Sequence, residues 1–331
     1  MIFSLAPMEG ITNYLIRNAY HHHFDDIDRY YTPFLPASKR LSPKMKRDLM
    51  PENNKGITLI PQILAKRSVD VLHMCDLLKE YGYDTLNINL GCPSGTVVNK
   101  GRGAGFLRFP QELDQFLYEI FEKTEFKISV KTRVGFDSDE EWENLLSIYH
   151  KYPLEELIIH PRIQKDFYKG NPRMETFSKA YETYSKTPSL LCYNGDIDSV
   201  KNFQTVQRAY PLVERFMLGR GLLAKPGLVG MIKKQLPSGD VTLTCIPLSS
   251  EEEQSYKKRL RAYIDEIMEN LLKNFSGERD ILFHMKEIWF YLHHSFADAE
   301  PYLKQIQKTQ SLAEYRLIVN AIFSNCRITE F

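Results

Sequence analysis

Eight short apolar, β-rich runs recur along the first two thirds of the chain, and they constrain the fold more than any other feature. They are Ile2–Pro7, Arg29–Phe34, Ile57–Leu64, Thr85–Leu90, Lys127–Val134, Glu156–Pro161, Ser189–Asn194 and Glu214–Leu218. Between several of them, apolar residues recur at helical spacing, in Val69–Tyr81, Gln111–Lys123 and Glu140–Tyr149. Eight strands alternating with helices over about 235 residues predict a (β/α)8 TIM barrel, an α/β fold of about 250 residues. A doubly wound open sheet is the alternative.

The pattern changes after Leu236. Residues 237–254 read as a connector that ends in a helix start, because Ser249 and Ser250 each precede a glutamate by three residues, the spacing of a capping box. Apolar stripes at helical spacing then continue toward the end of the chain. The sequence therefore predicts two domains, a barrel at residues 1–240 and a small all-helical C-terminal domain at residues 245–331.

Composition and charge narrow the class of protein. The chain has 331 residues, of which 43% are hydrophobic and 26% are charged, as in ordinary globular proteins. With a net charge of +1, any anionic partner must be met by a local basic patch. The five cysteines are scattered and form no C-x-x-C motif. This pattern argues against both a disulfide framework and a zinc site. We expect a cytoplasmic monomer with no metal, no membrane span, no signal peptide and no protein partner.

Polar residues occupy one side of several predicted strands near their C-terminal ends, where barrel enzymes place their active sites. They are Gln62, Asn87, Asn89, Ser129, Lys131, Arg133, His160, Arg162, Cys192 and Asn194. The apolar side should face the helices and the polar side the barrel interior, where an unpaired lysine is unfavourable. This pattern predicts a site for a polar ligand, and a set of satisfied core polar groups is the alternative.

Glycines follow the last two predicted strands, where helices should begin. Gly195, Gly219 and Gly221 lie at these points, and barrels often bind phosphate there on exposed backbone N–H groups. Arg220 could add a charge-assisted hydrogen bond. Loops also use glycine for backbone conformation alone, but the position after the eighth strand favours phosphate binding.

Cys92 lies where the fourth predicted strand ends, in the stretch "LNINLGCPSGTVVNKGRGAGFL" from Leu86 to Leu107. Three interpretations compete for this thiol. It is a packed core thiol, a metal or disulfide partner, or a reacting group at the mouth of a site.

A basic cluster follows the second predicted strand. The segment "SKRLSPKMKR" carries Lys39, Arg40, Lys44, Lys46 and Arg47 within ten residues. A solvated surface loop is the ordinary interpretation. Because this loop is expected at the active face of the barrel, contact with phosphates is the favoured one.

The motifs "LAPMEGIT", "NINLGCPSGTVVNKGRGAGFL", "SVKTRVGF", "IIHPRIQKDFYKG", "YNGDI" and "MLGRGLLAKPG" resemble, in order, the successive motifs of the tRNA-dihydrouridine synthases. The resemblance runs from Leu5 to Gly227. It implies a barrel that carries FMN and a helical domain that binds tRNA. The implied reaction is reduction of uridine in folded tRNA to 5,6-dihydrouridine, with NADPH reducing the flavin.

The resemblance also implies roles for individual residues. Cys92 would be the general acid that protonates C5 of the uracil while the reduced flavin gives hydride to C6. Asn89 and Arg162 would read the uracil edge. The expected flavin contacts are Pro7, Met8 and Glu9 along the ring system, Gln62, Lys131 and His160 at its polar edge, and Asn194, Gly195, Asp196, Gly219 and Arg220 at the ribityl and phosphate end.

Three positions depart from the usual pattern of that family. Asn87 stands where an acidic residue is common, Pro161 replaces a usual glycine, and Asn13 replaces a usual aspartate. Two alternatives to the implied function stay open. One is another FMN barrel that reduces a small pyrimidine or an enone, and the other is a catalytically silent tRNA-binding protein.

Overall fold

The computed structural model describes residues 1–187, 190–235 and 248–331. In these residues the strand segments are β1 (Ile2–Leu5), β2 (Arg29–Tyr31), β3 (Leu35–Pro36), β4 (Leu59–Ile60), β5 (Gln62–Leu64), β6 (Thr85–Leu90), β7 (Lys127–Arg133), β8 (Glu156–His160), β9 (Leu191–Tyr193) and β10 (Arg215–Leu218). The helices are α1 (Tyr14–His23), α2 (Pro43–Leu49), α3 (Ser68–Lys79), α4 (Gly95–Val98), α5 (Pro110–Phe121), α6 (Trp142–Tyr149), α7 (Met174–Thr183), α8 (Val200–Ala209), α9 (Arg220–Ala224), α10 (Leu228–Gln235), α11 (Ser250–Asn274), α12 (Glu278–Leu292), α13 (Glu300–Lys308) and α14 (Leu312–Asn325).

The strands form one sheet that closes on itself. Its hydrogen-bonded order is β3-β5-β6-β7-β8-β9-β10-β1-β2-β4, and the paired strands run parallel. The strand at one end of this order, β4, is separated from β5 only by Pro61. Because β5 pairs with β3 at the other end, the two ends of the sheet are continuous through Pro61. The predicted α/β barrel is therefore confirmed.

In the structure one predicted run is broken and another is followed by a separate short strand. The run Ile57–Leu64 becomes β4 and β5 because Pro61 has no N–H for the sheet. The run Arg29–Phe34 is a strand only at β2, and β3 begins just beyond its predicted end; β2 pairs with β4 and β3 with β5. The predicted start of the seventh strand, Ser189, lies outside the described residues.

Contacts divide the chain into two compact units. The first unit comprises Met1–Pro7, Asp28–Asp196 and Tyr210–Met217, and it contains the barrel strands. The second comprises Met8–Ile27, Ile197–Ala209 and Leu218–Phe331, so it includes α1 as well as the C-terminal helices. The predicted boundary between residues 240 and 245 lies outside the described residues, and the two-domain assignment stays a prediction.

The second unit is built on apolar helix faces. Ser249 caps α11 in the predicted capping box, in which its hydroxyl accepts from the Glu252 N–H and the Glu252 carboxylate accepts from the Ser249 N–H. The predicted stripe of α11 is buried, and Tyr263 packs edge-on against Tyr20 and Phe24 near α1. These aromatic contacts explain why α1 groups with the tail helices. No helix in the described ranges is long and apolar enough to cross a membrane.

Candidate active site

The end of β6 positions Cys92. Its backbone N–H donates to Asn89 Oδ1 at 2.9 Å, and the Gly91 N–H donates to the same oxygen at 3.1 Å. Its carbonyl accepts from the Ala104 N–H at 3.0 Å. The side chain is half-buried, and its thiol forms no disulfide with a cysteine in the described ranges. The thiol is therefore held both by the strand before it and by the loop after it.

Two glycines of that loop, Gly103 and Gly105, are required by its geometry. Gly103 has φ +54°, and a Cβ there would lie 2.8 Å from the Cys92 carbonyl oxygen and 2.9 Å from Val97 Cγ1. A Cβ at Gly105 would lie 2.6 Å from the Val98 carbonyl oxygen. The loop therefore packs against Cys92 more closely than any residue with a side chain would permit.

Buried amides fill the barrel interior next to Cys92. Gln62 Nε2 donates to Asn87 Oδ1, and Asn89 Nδ2 donates to Gln62 Oε1, each at 2.8 Å. Asn87 Nδ2 donates to Ser129 Oγ at 2.8 Å. Residues on β5, β6 and β7 thus share one interior face, as their alternation in the sequence predicts.

Lys131 is the cation of this interior face. It lies opposite Asn89 in the register of β6 and β7. Burial, and then the charge of Arg133, lowers the pKa of Lys131 to about 8. Within the described residues the Lys131 ammonium makes no hydrogen bond or ion pair. A half-buried cation in this condition is suited to an anionic or carbonyl-bearing ligand.

Arg133 lies two residues further along β7 and is fully buried. Its guanidinium donates to the carbonyl oxygens of Gly91 at 2.9 Å, Ile163 at 2.8 Å and Phe167 at 2.6 Å. Burial lowers the pKa of Arg133 to about 10. Arg133 thus ties the residue before Cys92 to the loop after β8. The implied roles omit Arg133, although it shares the strand side of Lys131.

His160, Arg162 and Asp196 form a connected group. Arg162 Nη1 donates to His160 Nε2 at 3.1 Å and to Asp196 Oδ1 at 3.0 Å, and Arg162 Nη2 donates to Asp196 Oδ2. Arg162 Nε and Nη2 donate to the carbonyls of Lys169 and Gly170. Because arginine only donates, His160 Nε2 is an acceptor and Nδ1 carries the proton of the neutral ring. Arg162, which is expected to contact the uracil, therefore bonds to His160 and Asp196, which are expected to contact the flavin.

The strand end after β9 is shaped by packing. Asn194 Nδ2 donates to the Met217 carbonyl at 2.7 Å. A Cβ at Gly195 would lie 2.1 Å from Tyr193 Oη, so this position requires glycine.

The other predicted contacts fall at the ends of β1 and β10. Pro7 is half-buried and is the last residue of its segment in the first unit. Met8 and Glu9 begin the second unit in a turn that Gly10 closes with φ +82°. In the same unit Gly219 precedes the short helix α9, which starts at Arg220.

The basic cluster is fully on the surface. Lys39 and Arg40 follow the end of β3, and Lys44, Lys46 and Arg47 lie on α2, which Ser42 caps. All five side chains are exposed, and none forms an ion pair with a residue in the described ranges. They remain available to phosphates.

A separate cavity of about 430 Å³ opens among the strand starts, at the opposite end of the strands from Cys92. Its lining includes Arg29, Lys127 and Glu156. Tyr31 donates to Glu156 at 2.6 Å, and burial raises the pKa of Glu156. Barrel chemistry lies at the other end of the strands, so this cavity is not the candidate active site.

Comparison with known proteins agrees with this geometry. The sequence model of the family described as "Dihydrouridine synthase (Dus)" matches residues 4–326. The chain is 29% identical over 237 residues to the tRNA-dihydrouridine(16) synthase of Pseudomonas putida, covering 69% of this chain and 72% of that protein. It is 25% identical over 287 residues to the probable tRNA-dihydrouridine synthase 2 of Bacillus subtilis, covering 84% and 87%.

Among solved structures, morphinone reductase aligns with a TM-score of 0.47 and 12% identity, covering 70% of this chain and 85% of that one. A likeness of this size has no bearing on function. The family match spans nearly the whole chain and includes the strand end that carries Cys92. The chain therefore belongs to the dihydrouridine synthase family.

Proposed function

We propose that this protein reduces uridine in tRNA to 5,6-dihydrouridine, with FMN as its cofactor and NADPH as the reductant. One observation carries the proposal. Cys92, whose backbone is held by hydrogen bonds, and Lys131, a cation inside the barrel, lie near the ends of the adjacent strands β6 and β7. The proposal assigns the cofactor to residues 1–240 and tRNA binding to residues 245–331.

The donor set of the barrel suits the polar edge of an isoalloxazine ring. Lys131 offers an ammonium with no acceptor among the described residues, and the neutral ring of His160 carries its proton on Nδ1. Gln62 keeps one N–H and one lone pair after its two amide bonds. Carbonyl oxygens and a ring nitrogen of the isoalloxazine would satisfy Lys131 and Gln62. Bound FMN supplies the hydride that C6 of the uracil accepts.

The remaining cofactor contacts are those that the family resemblance implies. Pro7, Met8 and Glu9 would lie along the ring system. The ribityl chain and phosphate would contact Asn194, Gly195, Asp196, Gly219 and Arg220. Asp196 is already paired with Arg162, which suits it to a hydroxyl of the ribityl chain rather than to the phosphate.

Cys92 supplies the proton. Hydride addition at C6 and proton transfer from the Cys92 sulfur to C5 together saturate the C5–C6 double bond, and solvent later restores the thiol. A general acid of this kind typically contributes about 10²–10⁴-fold in rate. The bonds to Asn89 and Ala104 hold the backbone that carries the sulfur, which favours proton transfer to a single carbon.

Asn89 and Arg162 are the proposed readers of the uracil. Asn89 Oδ1 already accepts two backbone N–H groups, so its second Nδ2 hydrogen is the group left for a uracil carbonyl. Arg162 makes five bonds to protein acceptors. Reading of the base by Arg162 therefore requires it to exchange one of these bonds for a uracil oxygen.

The phosphate backbone of tRNA is met by the basic cluster Lys39–Arg47. Its five cations are exposed and follow the C-terminal end of β3. Electrostatic attraction to phosphates supplies affinity without sequence information. The choice of uridine must therefore come from other contacts.

The direct test is an assay with an unmodified tRNA transcript, FMN and NADPH, followed by nucleoside mass spectrometry. We expect dihydrouridine to appear in tRNA and not in free uridine. Reduction of free uridine or of an enone, with tRNA untouched, would favour a small-molecule reductase. Binding of tRNA without any dihydrouridine would favour a catalytically silent protein.

A further inference from the structure

A single file of hydrogen bonds runs through the barrel interior to the backbone of Cys92. It starts at the Leu86 carbonyl, which accepts from Ser129 Oγ at 3.4 Å. Ser129 Oγ accepts from Asn87 Nδ2, Asn87 Oδ1 accepts from Gln62 Nε2, and Gln62 Oε1 accepts from Asn89 Nδ2, each at 2.8 Å. Asn89 Oδ1 then accepts the N–H of Cys92 at 2.9 Å.

The ends of this file determine the direction of every bond in it. The Cys92 N–H can only donate, so Asn89 must present its oxygen there and its nitrogen to Gln62. Gln62 must then present Oε1 to Asn89 and Nε2 to Asn87. Asn87 in turn must present its nitrogen to Ser129, whose hydroxyl donates to a carbonyl that can only accept. No amide in the file can turn over without breaking two bonds.

Burial makes the file stiff. Gln62 and Asn87 are 0% exposed, and Ser129 is 1% exposed. A buried amide that loses its hydrogen-bond partner cannot bond to water instead. The file therefore breaks only when its members rearrange. Asn87 contacts neither the Cys92 backbone nor the expected ligands, yet its Oδ1 is the acceptor that satisfies Gln62 Nε2.

We propose that Asn87 is a positioning residue that acts through Gln62 and Asn89 to hold the backbone of Cys92. The inference rests on the proposed role of Cys92 as the proton donor. Asn87 does not touch substrate or cofactor, and its effect is on how firmly Gln62 and Asn89 hold the backbone of Cys92.

Substitutions at position 87 separate orientation from bulk. Asn87→Leu keeps the branching and the number of side-chain heavy atoms but neither accepts from Gln62 nor donates to Ser129, so Gln62 Nε2 loses its buried acceptor. Asn87→Asp still accepts from Gln62 Nε2, and the Ser129 hydroxyl can rotate to donate to it. The matched control is Thr132→Val on β7, because Thr132 is equally buried but bonds to Tyr149 and the Arg133 carbonyl on the opposite side of the strand.

The experiment measures the alkylation rate of Cys92 by iodoacetamide across pH, read from the Cys92 peptide by mass spectrometry, in the FMN-loaded full chain. The same variants are assayed for flavin reduction by NADPH and for dihydrouridine formation. We expect Asn87→Leu to alter the Cys92 alkylation rate severalfold and to slow dihydrouridine formation about tenfold or more, since small misplacements of a reacting group have effects of that size. Asn87→Asp should stay near wild type, and Thr132→Val should lower the unfolding midpoint without changing Cys92 reactivity.

The inference is overturned if Asn87→Leu matches Thr132→Val in both Cys92 reactivity and dihydrouridine formation. Should Asn87→Leu not fold, Ser129→Ala replaces it, with a smaller change expected in the same readouts and wild-type behaviour counting against the inference. A different result would show that the proposed role of Cys92 is wrong. In that case Cys92→Ala keeps dihydrouridine formation, while the alkylation rates still report on the effect of Asn87.

Discussion

At the scale of single residues, Lys131 shows how the fold changes the chemistry of a side chain. A free lysine titrates near 10.4, and in the folded protein burial and the charge of Arg133 lower the pKa of Lys131 to about 8. The folded state therefore holds a cation in an environment that disfavours it. A ligand with negative charge or carbonyl groups would relieve this strain, which ties the stability of the barrel interior to the occupant of the site.

This shift predicts a pH-dependent effect of Lys131→Met on the FMN-free protein. Below pH 8 both folded and unfolded chains carry the proton, so the folded state bears the full cost of the buried cation. Between pH 8 and about 10.4 the unfolded chain holds more protons, and stability rises with pH. Lys131→Met should raise the thermal midpoint at pH 7, and the gain should shrink above pH 8. Thermal melts from pH 6 to 10 check this, with surface Lys100→Met as control, and a variant no more stable at pH 7 would contradict it.

The same variant should bind FMN more weakly. Met keeps most of the length of the side chain but removes the ammonium, the only group of Lys131 that could bond to a flavin oxygen or nitrogen. Fluorescence titration of the FMN-free protein measures the affinity. If Lys131→Met binds FMN and is reduced by NADPH as the wild type is, Lys131 does not belong to the cofactor site.

Residue identities at the site could be predicted from strand parity, but their partners could not. Lys131 and Asn89 stand on the polar side of their strands and near the C-terminal ends, which is visible in the sequence. That Arg162 bonds to Asp196, 34 residues away, and to two loop carbonyls depends on the path of the loop after β8. No local sequence pattern predicts these bonds, so only the structure shows the partners of Arg162.

At the scale of elements, the loop between β6 and α5 is a packed support for Cys92. It contains α4 and a short 3-10 helix at Gly103–Arg108. Gln164 Nε2 donates to the Pro93 carbonyl at 3.0 Å from the loop after β8. The sequence marks this segment by its glycines, and the structure explains two of them by close approach to the backbone of Cys92 and Val98.

A pair of glycine substitutions tests this account of the loop. Gly103→Ala places a methyl group against the Cys92 carbonyl at a positive φ and should cost about 1–3 kcal/mol of stability. It should also slow dihydrouridine formation. Gly95→Ala is the control, because a Cβ there meets nothing within 4 Å and lies in α4. Urea unfolding and the tRNA assay measure both effects, and equal behaviour of the two variants would refute the packing argument.

Element existence was easier to predict than element ends. The helices α3 and α5 begin within a residue or so of their predicted starts because their apolar spacing is regular. The strand breaks at Pro61 and after Tyr31 depend on which backbone groups find partners in neighbouring strands. Such pairing is a tertiary property.

At the scale of the whole molecule, binding of a folded polyanion must come from localised charge, since the net charge is only +1. Neutralising Lys44, Lys46 and Arg47 to glutamine should weaken tRNA binding and flatten its salt dependence, by about 0.9 log unit per lost phosphate contact where duplex behaviour applies. The control neutralises Lys79, Lys123 and Lys179, three exposed lysines on or just after outer helices of the barrel. Binding titrations across salt decide the matter, and equal slopes for the two triple variants would remove α2 from the tRNA-binding surface.

The most direct measurement of the role of Cys92 separates the two half-reactions in Cys92→Ala. Flavin reduction by NADPH is followed by absorbance, and dihydrouridine formation in tRNA is followed by nucleoside mass spectrometry, with Cys75→Ala as the control for a buried thiol on α3. We expect Cys92→Ala to bind FMN and accept electrons from NADPH like the wild type, and to lose about 10²-fold or more in dihydrouridine formation. Dihydrouridine formation at the wild-type rate would contradict the role of Cys92 as the proton donor.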